Sequence, residues 1–168
     1  MTRRTLPVVL LLCLASPAVA QGPCTTSDHR AFDFRVGSWD VYDTSGALRG
    51  HNEIRSTLGG CVLHESYTTP AGYAGESVNI YDASRGVWHQ SWVDNGGLLL
   101  SIEGGIRDGA MVLEGVTTGA DGAESLNRIT WSRLDSSGNR VRQLWEVSAD
   151  GGSTWAVAFD GEYRRAEG

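Results

Sequence analysis

The chain has 168 residues and a net charge of −6, with 20 acidic residues against 14 basic ones, and every basic residue is an arginine. That length fits one domain. The absence of lysine excludes Schiff-base and phosphate-loop chemistry, and the acidic balance argues against a nucleic-acid backbone as partner.

Residues 1–20 read as an export signal. Arg3 and Arg4 give a positive start, Leu6 to Leu14 an apolar run, and Ala18-Val19-Ala20 a small-residue cleavage site. Leu12 precedes Cys13, where a lipid-anchor site would need a small residue. Cleavage after Ala20 removes two arginines and takes the charge from −6 to −8. Residues 21–31 are then an N-terminal arm and 32–165 a barrel domain. The apolar run is shorter than the ~20 residues of a membrane helix, and no later run approaches that length, so no transmembrane segment is expected. The expected location is periplasmic or extracellular. The sequence specifies no oligomeric state.

Cys24 and Cys61 remain as an even pair in a compartment that permits disulfides, and are expected to bond; two free thiols are the alternative. No Cys-x-x-Cys spacing exists and the four histidines are scattered, so no metal site is expected.

From Thr25 onward, short alternating runs are separated by turn signals. Ser27 to Phe34 is the one stretch with room for a helical turn. Gly37 to Asp43 alternates and turns at Thr44-Ser45-Gly46. Next, Leu48, Gly50, Asn52, Ile54, Ser56 and Leu58 face one way, with Arg49, His51, Glu53 and Arg55 opposite, until Gly59-Gly60. Cys61 to Thr69, Glu76 to Asp82 and Val87 to Asp94 follow, the last ending at Asn95-Gly96-Gly97, a strong hairpin signal. Leu98 to Ile106, Ala110 to Thr118, Asn127 to Leu134, Asn139 to Ser148 and Thr154 to Arg165 complete ten strands. Ten antiparallel strands with uniformly short links and no helical period must hide their edges. The fold class expected is all-β, a single antiparallel up-and-down β-barrel. A barrel of that size has room for a small ligand.

Gly37-Ser38-Trp39 resembles the Gly-x-Trp that opens the calycin barrels, the lipocalins and their ten-stranded relatives. There the tryptophan packs across the closed end under an arginine from the last strand, a part that Arg164 or Arg165 would take through a cation–π contact. The wider layout includes Phe32 to Trp39, Leu58-Gly59-Gly60-Cys61, Tyr81-Asp82 and Trp88-His89-Gln90-Ser91-Trp92-Val93-Asp94. Arg142-Gln143-Leu144-Trp145-Glu146 and Asp160-Gly161-Glu162-Tyr163 complete it. Over nearly all of residues 21–168 this is similar to exported bacterial proteins of the DUF1579 type, described as lipocalin-like. The resemblance implies a fold and brings no activity with it.

Two other likenesses are weaker. Nitrobindins are haem-carrying ten-stranded barrels whose iron-binding histidine lies near the C-terminus. This chain has no histidine after His89, leaving only His89 or His64 as substitutes, and no cofactor is expected. Ser148-Ala149-Asp150-Gly151-Gly152-Ser153-Thr154-Trp155 matches the Asp-box of sialidases. Propellers repeat that box in every blade, and one copy here reads as a turn in which Asp150 accepts backbone N–H bonds and Trp155 covers the hairpin.

Alternation puts Val87, His89, Ser91 and Val93 on one face of their strand, and Trp88, Gln90, Trp92 and Asp94 on the other. An inward His89 would be a general base, partnered by Glu65 or Glu146; an outward one is a network or surface residue. Glu65, on the face of Leu63 and Tyr67, and Glu146, beside Trp145, have solvated or paired carboxylates as their ordinary reading. An inward Arg142–Glu146 pair would be a polar floor like that of intracellular lipid-binding barrels. Trp88, Gln90, Trp92, Arg142 and Trp145 are the candidate ligand-binding residues. The function expected is binding of a small, largely apolar or amphipathic molecule in the lumen. The alternatives are an isomerase or hydrolase built on His89, and a solid barrel with a structural or envelope role.

Overall fold

The computed structural model describes residues 22–166, and the segment read as an export signal lies outside the described residues. Ten strands follow a short N-terminal segment: β1 Gly37–Asp43, β2 Leu48–Thr57, β3 Val62–Thr68, β4 Ala74–Asp82, β5 Val87–Asp94, β6 Leu99–Arg107, β7 Ala110–Thr118, β8 Glu124–Arg133, β9 Arg140–Ser148 and β10 Ala156–Arg165. Each pairs antiparallel with its neighbours in sequence, and β1 also pairs with β10, so the sheet closes as an up-and-down barrel. Closure gives every strand two partners and leaves no edge exposed.

The hairpins are set by aspartates. Asp43, Asp82, Asp94, Asp121, Asp135 and Asp150 each accept a backbone N–H from two to four residues further on, within the turn that each one opens. Such a carboxylate imitates a backbone turn and fixes where the strand stops. In the Asp-box hairpin, Asp150 Oδ2 also accepts from Thr154 Oγ1 at 2.6 Å, and the Trp155 indole donates to Gly152 O. Hydrogen bonds from Thr154 and Ser148 hold the Asp150 carboxyl down at about 2.

Strand alternation sorts the side chains. Ile54, Leu63, Leu100, Ile102, Met111, Leu113, Ile129 and Val141 point inward and are buried, while the arginines of β2 face water. Leu58, expected on the same face as Ile54, is exposed because the chain leaves β2 at Thr57 and turns through Leu58–Gly60.

One end of the barrel is plugged by the N-terminal segment. Helix α1, Ser27–Arg30, is capped by Thr26, and a 3-10 turn over Asp33–Arg35 leads into β1. Phe32 enters the lumen and meets Trp88 and Trp131 edge-on, with ring centroids 5.5 and 5.0 Å away. Trp39 is buried beside them and donates its indole N–H to Arg35 O at 2.7 Å. Arg165, directly opposite Trp39 in the β1–β10 register, lays its guanidinium 4.3 Å from the Trp39 ring. A Cβ at Gly37 would overlap that guanidinium, which accounts for the glycine two residues before the tryptophan. Of the two arginines expected for this contact, Arg164 is thereby corrected: one residue out of phase, it faces outward and lies over Tyr42.

The Cys24–Cys61 disulfide ties the arm to the β2–β3 link at this plugged end. No helix among the described residues is long and apolar enough to cross a membrane. The disulfide closes a loop of 37 residues, for which the chain-entropy relation gives about 4 kcal/mol. Replacing both cysteines by serine is expected to lower stability by roughly 2–4 kcal/mol in urea unfolding while leaving the far-ultraviolet signature of the barrel intact.

Candidate functional site

The plug and the four links beside it, 58–61, 83–86, 108–109 and 134–139, occupy one end. The other end, ringed by loops 44–47, 69–73, 95–98, 119–123 and 149–155, opens into a cavity of about 220 Å³. Its walls are mostly aromatic and aliphatic: Tyr67, Trp92, Leu100, Ile129, Trp145 and Phe159, with Tyr73 and Ala158 at the rim.

The space exists because three inward-facing positions are glycine. A Cβ at Gly50 would strike Tyr67, one at Gly75 the Trp92 ring, and one at Gly161 the Phe159 ring. Each aromatic occupies room that a side chain at the glycine would need, so large rings line the wall. Trp145 is held by its indole N–H, which donates to Asn127 Oδ1 at 3.0 Å. At the rim, the Tyr73 hydroxyl donates to Asp94 Oδ2 at 2.8 Å, and burial followed by that bond pushes its phenol up to about 12.

Below the aromatic walls lies a buried polar cluster centred on Glu65, which is 2% exposed. Arg35, equally buried, comes from the plug and donates to Glu65 Oε1 at 2.5 Å. Asn52 Nδ2 donates to the same oxygen at 2.6 Å, Ser77 Oγ to Oε2 at 2.7 Å, and Gln90 Nε2 to Oε2 at 3.3 Å. Asn79 Nδ2 donates to Ser77 Oγ at 2.9 Å. The Arg35 guanidinium also lies between the Phe32 and Trp131 rings, 5.0 and 4.8 Å from their centroids. A buried carboxylate is tolerated only with donors on both oxygens, and four residues from the plug, β2, β4 and β5 supply them.

Beside the cluster, the Tyr163 hydroxyl donates to Gln143 Oε1 at 2.6 Å. Burial, reinforced by the Glu65 charge, drives the Tyr163 phenol far up, so it is a neutral donor at any working pH.

The structure separates the sequence candidates. Gln90, Trp92 and Trp145 line the cavity, and Glu65 contributes to it. Trp88 faces inward from β5 but packs against the plug, its indole N–H donating to Asp28 O at 3.0 Å. Arg142 is corrected to the outer surface, where it holds Asp160 with two bonds, and Glu146 is outside with Arg128, so no Arg142–Glu146 floor exists. His89 is also outside, between Glu103 and Ser91. His89 adjoins the inward Gln90 on β5 and points to the opposite face, so it and the lumenal Glu65 do not meet. Arg35 was missed: nothing in Phe34-Arg35-Val36 marks an inward charge, although the inward phase of Glu65 beside Leu63 and Tyr67 implies that some cation must reach it. Among the described residues no group of three or more His, Cys, Asp or Glu converges as a metal site would require.

Comparison with protein-family models and with curated proteins gives no match to this chain.

The Arg35–Glu65 pair is the site's foundation. Arg35→Met is expected to cost about 3–5 kcal/mol in guanidinium unfolding, because it strands a buried charge. Arg35→Met with Glu65→Gln is expected to recover a large part of that loss. Equal destabilisation of the single and double variants would refute the coupling.

Proposed function

We propose that this protein is an exported, lipocalin-like carrier that holds a small, largely apolar molecule in the barrel lumen. The observation that carries the reading is the cavity of about 220 Å³ lined by Trp92, Trp145, Phe159, Leu100 and Ile129 and open at one end. An apolar protein cavity of about 150 Å³ accepts benzene, so this volume suits a single-ring compound with a short substituent. Export is supported by the leader pattern in residues 1–20 together with the Cys24–Cys61 bond, which is characteristic of oxidising compartments. The likeness to DUF1579-type proteins belongs to the same reading.

Native mass spectrometry of the chain purified from an exporting host is expected to show an excess mass that disappears on denaturation. Ala158→Trp, which places a ring at the rim without touching the buried cluster, is expected to abolish the excess while leaving the unfolding midpoint nearly unchanged. A bare mass for the wild type, with no small apolar ring compound taken up when added, would overturn the proposal.

A further inference from the structure

The cluster around Glu65 leaves the cavity with a defined hydrogen-bonding polarity. The three buried amides of Asn52, Asn79 and Gln90 turn their NH2 groups toward Glu65 or Ser77. Reversing any of them would set a carbonyl oxygen against the carboxylate or against a hydroxyl already committed to it, so the negative centre fixes all three orientations. The consequence lies on their far sides. Asn52 Oδ1, Asn79 Oδ1 and Gln90 Oε1 are buried, and among the described residues none has a hydrogen-bond partner. An unmet acceptor at full burial costs about 1–3 kcal/mol in general, so a partner brought by a bound molecule is strongly favoured there.

Of the three residues, only Gln90 lines the cavity, and it is 2% exposed. Its Nε2 donates to Ser77 Oγ at 3.0 Å and to Glu65 Oε2, which leaves Oε1 as an acceptor with no internal claim on it. Both Glu65 oxygens are already saturated by Arg35, Asn52, Ser77 and Gln90. Gln143, whose Oε1 is taken by Tyr163, faces the same space and has its NH2 group left to give. Among the described residues, the two buried side-chain donors without partners are Nη1 of Arg35 in the plug and Nε1 of Trp131 on β8, neither of which lines the cavity.

We infer that the ligand is a neutral, ring-bearing molecule with an O–H or N–H donor, a phenol or its nitrogen counterpart, which donates to Gln90 Oε1 while its ring lies among Trp92, Trp145 and Phe159. This rests on the carrier reading and narrows it to a ligand class. A phenol brings one donor and a spare lone pair, which match Gln90 Oε1 and the Gln143 amide. A plain hydrocarbon leaves Oε1 unmet. A carboxylate offers only acceptors and would bring its charge against Gln90 Oε1 and the Glu65 carboxylate, with neutral donors such as the Gln143 amide to meet it, while Arg35 is already spent on Glu65.

The test compares 4-ethylphenol, ethylbenzene and 4-ethylbenzoate by titration calorimetry with the oxidised chain lacking residues 1–20. The phenol is expected to bind about tenfold or more tightly than the hydrocarbon, with no heat from the carboxylate. In Gln90→Met, of similar length, and in Gln90→Leu, the phenol should lose that advantage while ethylbenzene keeps its affinity. The wild-type ratio decides the matter even if neither variant folds. Equal or tighter binding of ethylbenzene, or tightest binding of the benzoate, overturns the donor assignment and leaves a lumenal site standing. Binding of none of the three overturns both.

Discussion

A carboxylate buried inside a barrel needs a counter-charge, and here it cannot come from the barrel wall. Glu65 sits on β3 facing the lumen, and the only cation among the described residues that reaches it, Arg35, arrives from the segment before β1. The pair therefore ties the plug to the sheet and couples two parts of the chain that share no strand pairing. Its desolvation is offset by the further bonds from Asn52, Ser77 and Gln90, and the flanking Phe32 and Trp131 rings favour a guanidinium over an ammonium. The orientations of the Asn52, Asn79 and Gln90 amides, and with them the polarity of the cavity floor, follow from the carboxylate that Arg35 pairs with.

Around that fixed point the lumen divides in two. Toward the plug, Trp39, Trp88, Trp131 and Phe32 pack to exclusion, and Arg165 closes over them. Toward the mouth, glycines replace side chains and the aromatics spread along the wall. The outer face follows another rule. Arg85 joins Asp82 and Glu103, Arg142 grips Asp160, Arg107 meets Glu114, and Arg128 meets both Glu146 and the Trp155 ring. Each exposed pair adds little by itself. The planar fork of arginine nevertheless suits bridging adjacent strands and covering rings, which fits a chain that uses no lysine.

Much of this was legible in the residues. Alternation and turn chemistry located all ten strands, because both are local: Asp and Gly at the turns act on their own few residues, and a closed meander needs no long-range guess. Alternation also put Gln90 and Trp92 on one face with Trp88, and Glu65 on one face with Leu63 and Tyr67, without saying which face turns inward. The partners were not legible. Which cation meets Glu65 depends on where a non-repeating segment folds back, and Arg35 has no periodic neighbours to reveal its direction. Choosing between Arg164 and Arg165 required the β1–β10 register, a pairing between the two ends of the sheet that no local pattern encodes. The external positions of His89 and Arg142 likewise turned on a phase that alternation leaves two-valued.

The tether at Cys24 and Cys61 bears on traffic through the barrel. With the arm covalently held to the β2–β3 link, any fraying of the plug leaves Arg35 close to Glu65, and re-docking is an intramolecular event at high effective concentration. A barrel stoppered in this way behaves as a vessel with one neck rather than a pipe. On the carrier reading proposed above, uptake and release share the rim where Tyr73 meets Asp94, so that the residence time of a guest and its rate of entry would be governed by the same few atoms.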